Sequence, residues 1–145
     1  MSTAKDLTKE PPTSPRVRTS NYAILARMAD KGRAVIAGTE GEFHFDCPLD
    51  NMLFGFKGVK GSDIRQLLED GKSNDEVAAW IDANGTPKTE DEKKAWSDEV
   101  EAARPYDNPE KKEWFIGVCK EAGCDPETST LFDFLEADDK ASYAK

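Results

Sequence analysis

The chain has 145 residues, 34% of them charged and 37% hydrophobic, and a formal net charge of −9. That length suits one domain with a modest core. The sequence has no apolar run of about 18 residues, which excludes a membrane helix, and its first residues lack the apolar stretch of a secretory signal. Three cysteines are too few for a disulfide scaffold, so a reducing cytoplasm is the simplest setting. The charge is unevenly placed. Residues 1–38 carry seven basic and three acidic side chains, a net +4, and residues 39–145 carry 13 and 26, a net −13. An acidic body repels phosphate backbones, so neither nucleic acid nor a membrane is an expected partner. A short basic arm beside such a body is expected to lie back across it, within the reach of weakly screened charge.

In chain order, Pro11, Pro12 and Pro15 remove three backbone donors, so residues 1–20 read as an extended basic arm. Ser20 is the expected cap of a helix from Asn21 to Ala37, closed by Gly38. Ile24, Leu25, Met28, Ala29, Val35 and Ile36 form its apolar stripe. The other face carries Ala23, Ala26, Arg27, Asp30, Ala34 and Ala37. Its small residues let a second element approach, so this helix is expected to be central. Arg27 and Asp30, at i and i+3, are expected to meet each other or a polar partner. Residues 38–48 read as a loop, with Phe43-His44-Phe45 as a very short strand or an extended plug. Pro48 opens a short helix with Leu49, Met52, Leu53 and Phe56 inward. Ser62 caps the next, which buries Ile64, Leu67 and Leu68 before Gly71.

Ser73 with Glu76, and Thr89 with Glu92, are capping boxes. The first starts a helix carrying Val77, Trp80 and Ile81, and the second a charged surface helix with a thin stripe of Trp96, Val100 and Ala103. Asn108-Pro109 starts another, with Trp114, Phe115, Val118, Cys119 and Ala122 inward and Gly123 at its end. A last short helix near Thr130–Ala137 presents Leu131, Phe132, Phe134 and Leu135, and residues 139–145 read as a polar tail. The sum is an all-α, single-domain bundle of six or seven short helices over residues 21–138, with an extended N-terminal proline-containing arm.

Several stretches are distinctive: Asp6-Leu7-Thr8-Lys9, Pro11-Pro12, Ser14-Pro15-Arg16, Leu25-Ala26-Arg27-Met28, Gly41-Glu42-Phe43-His44-Phe45 and Cys47-Pro48-Leu49-Asp50. Near the C-terminus, Phe132-Asp133, Leu135, Asp138-Asp139-Lys140 and Ser142 join them. With these residues the chain resembles an uncharacterised bacterial family, domain of unknown function 5069. The resemblance covers nearly the whole chain and is densest over residues 6–50. It implies a fold unit and a bacterial origin, and no activity. Gly32 stands where that family's helix is expected to carry alanine, and is expected to loosen the helix slightly.

Three constellations carry candidate chemistry. His44, Cys47 and Asp50 come first: His-x-x-Cys is a metal-ligand spacing, and Cys with His is a nucleophile–base pairing. Cys47 sits at an expected helix start, whose dipole favours a thiolate. The plainer reading makes His44 a half-buried, hydrogen-bonded plug between two phenylalanines and Cys47 a small buried hydrophobe. Second, Cys119 and Cys124 would complete a zinc set with His44 and Cys47, although C-x₄-C is wide for one and Cys119 falls on an apolar stripe. Third, Arg16, Arg18, Arg27, Asp30, Lys31 and Arg33 could hold a carboxylate or phosphate. The competing reading pairs Arg16 and Arg18 with acids of the body and Arg27 with Asp30. The three tryptophans, Trp80, Trp96 and Trp114, read as core. The acidic run Glu90-Asp91-Glu92 reads as compensation of a helix dipole.

No phosphate-binding loop, dinucleotide fingerprint, nucleophile elbow or zinc-protease motif occurs. The leading expectation is therefore a small cytoplasmic helical binding or interaction module without catalytic activity and without a cofactor. Its expected partners are a small anionic ligand or a protein, the chain itself being a monomer or weak homodimer. The alternative is an enzyme or anion-binding protein with a pocket between the arm, the first helix and the His44/Cys47 loop. There His44 is acid or base, Cys47 nucleophile or ligand, and Arg16 with Arg27 hold the substrate. A structural zinc domain is the third reading.

Overall fold

A computed structural model describes residues 4–143. Among them are seven α-helices: α1 (Leu25–Ala37), α2 (Pro48–Lys57), α3 (Gly61–Glu69), α4 (Asn74–Asn84), α5 (Glu90–Glu101), α6 (Lys112–Ala122) and α7 (Leu131–Ser142). A single 3₁₀ turn, Pro105–Asp107, joins α5 to α6. No strand forms among the described residues, so the all-α expectation holds. Phe43 and His44 are irregular and Phe45 lies in a bend, and among the described residues the only pairing is an isolated bridge between Thr19 and Tyr22.

Helix α1 is central. It packs on α2, α3 and α4, and its residues Leu25 to Ala34 are all buried, charged ones included. The main core gathers Tyr22, Ile24, Leu25, Met28, Leu53, Phe54, Ile64, Val77, Ile81 and Phe132 around it. Gly32 has a role other than the expected loosening. A Cβ there would lie 2.4 Å from Leu68 Cδ1 and 3.0 Å from Phe45 Cδ1, so its missing side chain lets α3 and the Phe45 loop close on α1. A smaller core of Phe115, Cys119 and Phe134 lies between α6 and α7.

The start of α1 corrects the expected Ser20 cap. Ser20 and Asn21 both have positive φ, 50° and 68°, and the flanking Thr19 and Tyr22 exchange N–H···O bonds of 3.1 and 2.9 Å. This is a tight two-residue turn, which needs left-handed backbone at both central positions. The helix starts only at Leu25, after Ile24 at φ 75° and with no side-chain cap. Its entrance is held from a distance. Ile24 N–H donates to Pro15 O at 2.9 Å, Ala23 N–H donates to Ser97 Oγ at 2.9 Å, and Ser97 Oγ donates to Asn21 O at 2.6 Å.

Local signals fare better elsewhere. Both expected capping boxes form, at Ser73 and Thr89, and a third forms at Thr130 with Asp133. Ser62 does not cap α3, which begins at Gly61 after Lys60. Asn108 does not start α6; its Oδ1 accepts from Glu110 N–H at 3.0 Å, closing a separate turn before the helix begins at Lys112. Residues 139–142, expected within a polar tail, form the last turn of α7. Trp114, expected in the core, is 51% exposed on α6.

The described part of the arm is bound to the body. Leu7, Pro12 and Pro15 are buried, and Leu7 N–H donates to Thr39 O at 2.9 Å. Arg16 reaches Asp133 at 2.8 Å and Glu136 at 3.1 Å on α7, and Glu101 at 3.6 Å on α5. Arg18 reaches Asp98 at 2.7 Å and Glu101 at 3.4 Å. The basic arm thus lies across the acidic body, as the charge imbalance implies.

Candidate functional site

Folding the arm and α7 back over α1 leaves a cavity of about 620 Å³. Leu7 and Thr8 of the arm form one wall, and Leu135, Asp138 and Ser142 of α7, with Tyr143 just after it, form another. Arg27 and Lys31 of α1 line it with Gly41 to His44 of the loop, and Cys47 and Leu49 close it at the start of α2. Of the sequence candidates, Arg27, Lys31, His44 and Cys47 therefore meet in one place.

Lys31 is the pivot. Its side chain is 4% exposed, and Nζ donates to Cys47 Sγ at 3.1 Å. Nζ also lies 2.9 Å from Oδ1 of Asp50, whose side chain is fully buried. The approach to Asp50 is that of an ion pair without hydrogen-bond alignment, so Oδ1 keeps an unused acceptor position. Oδ2 accepts from Asp46 N–H at 2.9 Å. The sequence places two of the three groups together for a plain reason. Cys47 is the N-cap of α2, with Pro48 in its first turn. Asp50 follows three residues later, on the inner side of that turn, facing α1. Cys47 is a partly exposed free thiol, so the reading of it as a sealed hydrophobe fails.

Arg27 does not pair with Asp30. It makes two bonds to Asp139 on α7, Nη1 to Oδ2 at 2.8 Å and Nη2 to Oδ1 at 3.2 Å, and the Phe43 ring covers it at 5.7 Å. Asp30 instead accepts from Thr13 N–H at 2.8 Å and lies 3.4 Å from Lys5 and 3.8 Å from Arg33. Burial and the neighbouring Asp139 raise the Asp138 carboxyl above its usual range, and the same two causes raise the Tyr143 phenol. The Tyr143 hydroxyl donates to Leu7 O, which ties the end of α7 to the arm.

His44 is exposed, a correction to the half-buried, hydrogen-bonded plug. It stands between the main cavity and a second recess of about 450 Å³, lined on its far side by Val35, Glu40, Asp46 and Arg65. Arg16, Arg18 and Asp30 lie outside both cavities, and Asp50 lies beneath the main one. Cys119 and Cys124 sit at the α6 end of the molecule. Among the described residues no group of three or more His, Cys, Asp or Glu could hold a metal ion, so the zinc set is not assembled. Burial, with Cys124 beside it, pushes the Cys119 thiol up to about 12.

A family model described as a domain of unknown function, DUF5069, matches residues 9–141. The chain belongs to that family. No curated protein matches it. The DUF5069 match spans the cavity wall from Arg27 to Asp138. Leu7, Thr8, Ser142 and Tyr143 fall just outside it. Those four, with Asp138 and Asp139, are what sequence reasoning missed at this DUF5069 site. Apart from Asp138, the last residue of the expected helical domain, they belong to an arm and a supposed tail, and only the charge complement of +4 and −13 hinted that the two ends meet. No described helix is long and apolar enough to cross a membrane.

Proposed function

We propose that this DUF5069 chain binds a small molecule in the cavity between the arm, α1, the 41–47 loop and α7, and that Cys47 is the reactive group there. The observation that carries this is the buried Lys31 ammonium donating to Cys47 Sγ at 3.1 Å, on the wall of a 620 Å³ cavity. A cationic donor on sulfur stabilises the negative charge that sulfur carries as it attacks an electrophile. The exposed His44 imidazole at the cavity edge supplies a further group able to donate or accept a hydrogen bond to a bound molecule.

Charge favours an uncharged ligand over the small anion suggested by the arginine-rich segment. Arg27 and Lys31 already face Asp139 and Asp50, and Asp138 and Glu42 add negative charge to the wall. Leu7, Phe43, Leu49 and Leu135 supply apolar surface for the rest of the molecule. The same neutralisation of both cations favours a second reading, binding without turnover, because it leaves no free cation to polarise a substrate.

Peptide-resolved alkylation with iodoacetamide at neutral pH tests the reading. Cys47 is expected to react about tenfold faster than Cys119 or Cys124 in the folded chain, and at the same rate in denaturant. A Cys47 that reacts no faster than the other two overturns it. A metabolite thermal-shift screen on the wild-type chain then finds what binds, and mass analysis of each ligand after incubation with the wild-type chain and with Cys47→Ser separates turnover from binding alone.

A further inference from the structure

We propose that Lys31 and Cys47 are a covalent redox pair, in which a hydroperoxide oxidises the Cys47 thiol and Lys31 then closes a sulfur–nitrogen bond to it. The inference rests on the reading of Cys47 as the reactive group of the cavity. Its own support is the third member of the cluster. Asp50 is fully buried, lies 2.9 Å from Lys31 Nζ, and keeps Oδ1 without a hydrogen bond. An amine can attack sulfur only after losing a proton, and this carboxylate oxygen is placed to take it.

The chemistry balances with one equivalent of oxidant. The Cys47 thiol attacks one oxygen of hydrogen peroxide, the O–O bond breaks, and sulfenic acid and water result. The sulfur is oxidised and the peroxide reduced. Lys31 Nζ then passes one proton to Asp50 and attacks Sγ. The S–OH bond breaks, and the hydroxide leaves as water with a second proton from Nζ. The products are an S–N bond with one hydrogen left on nitrogen, a neutral Asp50 carboxyl and water. Condensation of a sulfenic acid with a nitrogen is the reaction that gives a sulfenamide. The flexible four-carbon stem of Lys31 lets Nζ cover the remaining distance from 3.1 Å.

Electrostatics favours the same direction. The starting state holds a buried ammonium and a buried carboxylate. The product holds neither, so the desolvation cost of both charges is removed. The bond ties the middle of α1 to the first turn of α2 and removes the nucleophile from the cavity. It is therefore an off state for the site, reversible by a thiol reductant. The other two cysteines are the competitor: a C119–C124 disulfide would take up the same oxidising equivalents.

The experiment is a peptide map of the wild-type chain after treatment with one equivalent of hydrogen peroxide, without reductant. The expected product is a cross-linked pair of peptides, one containing Lys31 and the other Cys47, with the summed mass less two hydrogens. Dithiothreitol separates them again. In Lys31→Arg the cation remains but the guanidinium does not close the bond, so Cys47 is expected to be trapped by dimedone as sulfenic acid. The wild-type map decides alone if the arginine is not accommodated. Oxidation that ends only in a disulfide between the other two cysteines, or in Cys47 sulfinic acid with Lys31 free, overturns the proposal. If the cross-link is absent while Cys47 is still the fastest thiol to be alkylated, this inference fails and the cavity reading stands. If Cys47 resists both reagents, both fail.

Discussion

Lys31 and Asp50, with side chains 4% and 0% exposed, form an ion pair that water does not screen. A pair of this kind gives little net stability, because the desolvation of both charges offsets their attraction. Removing one partner is a different matter, since the other is left charged and buried. Lys31→Met is therefore expected to destabilise the fold by about 3–5 kcal/mol. The double variant Lys31→Met with Asp50→Asn carries no buried charge, and the amide oxygen can still accept from Asp46 N–H, whose native bond is 2.9 Å. It is expected to recover at least half of that loss. Urea denaturation of the four members of this cycle measures the coupling. A double variant as unstable as the single one would show that Lys31 contributes by packing and not by charge. The same pair shows what was readable in advance. Lys31, Cys47 and Asp50 stood out as residue types, but the 3.1 Å contact between Lys31 and Cys47 depends on how α2 seats against α1, and nothing in their spacing states it.

At the scale of elements, the helix ends that chain chemistry fixes locally were legible. The Ser73 and Thr89 boxes need only residues three apart, and Gly38 and Gly123 end α1 and α6 in left-handed backbone, φ 77° and 82°. The start of α1 was not legible. Its entrance is set by Pro15 and by Ser97, which lies 74 residues from its partner Ala23, and these partners outweigh the capping tendency of Ser20. The cost is carried in the backbone: Ser20, Asn21 and Ile24 all hold positive φ. Ser20 is exposed, so its strain can be removed without touching the core. Ser20→Gly is expected to raise stability by about 0.5–1 kcal/mol, the relief of left-handed backbone less the extra freedom of glycine in the unfolded chain. The readout is the urea midpoint at unchanged slope. A loss of stability would mean that the Thr19–Tyr22 turn uses the serine side chain.

Over the whole molecule, the charge imbalance becomes a clasp. The arm crosses α7 and α5 through Arg16 and Arg18, while Arg27 of α1 reaches Asp139 across 112 residues of sequence. Sequence could foresee that the arm lies back, because that follows from net charge. It could not assign partners, because 26 acids in residues 39–145 offer too many. The clasp sets a direction for the response to acid. Asp98 is lowered by bonds from Lys94 and Arg18, and Asp133 by the Thr130 cap with Arg16 behind it. Glu136 is lowered as well: burial raises it, and the bonds from Arg16 and Ser14 outweigh that. A carboxylate lowered by folding contributes stability that is present in full above its unfolded pKa and is lost as pH falls through the folded one. Asp138, raised by burial and by Asp139, acts in the opposite sense, since its protonation on acidification relieves a cost. Asp6, Glu76 and Glu92 are lowered too, by hydrogen bonds from Thr8, Ser73 and Thr89. Six lowered carboxylates stand against one raised one, so stability is expected to hold at neutral pH and to fall below about pH 4.5. Arg16→Ala removes a cation shared by Asp133 and Glu136, and is expected to flatten that acid limb while costing less than about 1 kcal/mol at neutral pH, because these groups are partly solvated. Thermal unfolding of both proteins from about pH 7 down to pH 3 tests this. Parallel curves over that range would mean that the arm is held by the burial of Leu7, Pro12 and Pro15 and by its uncharged hydrogen bonds to Thr39, Ile24 and Tyr143, and that its charges only steer it into place.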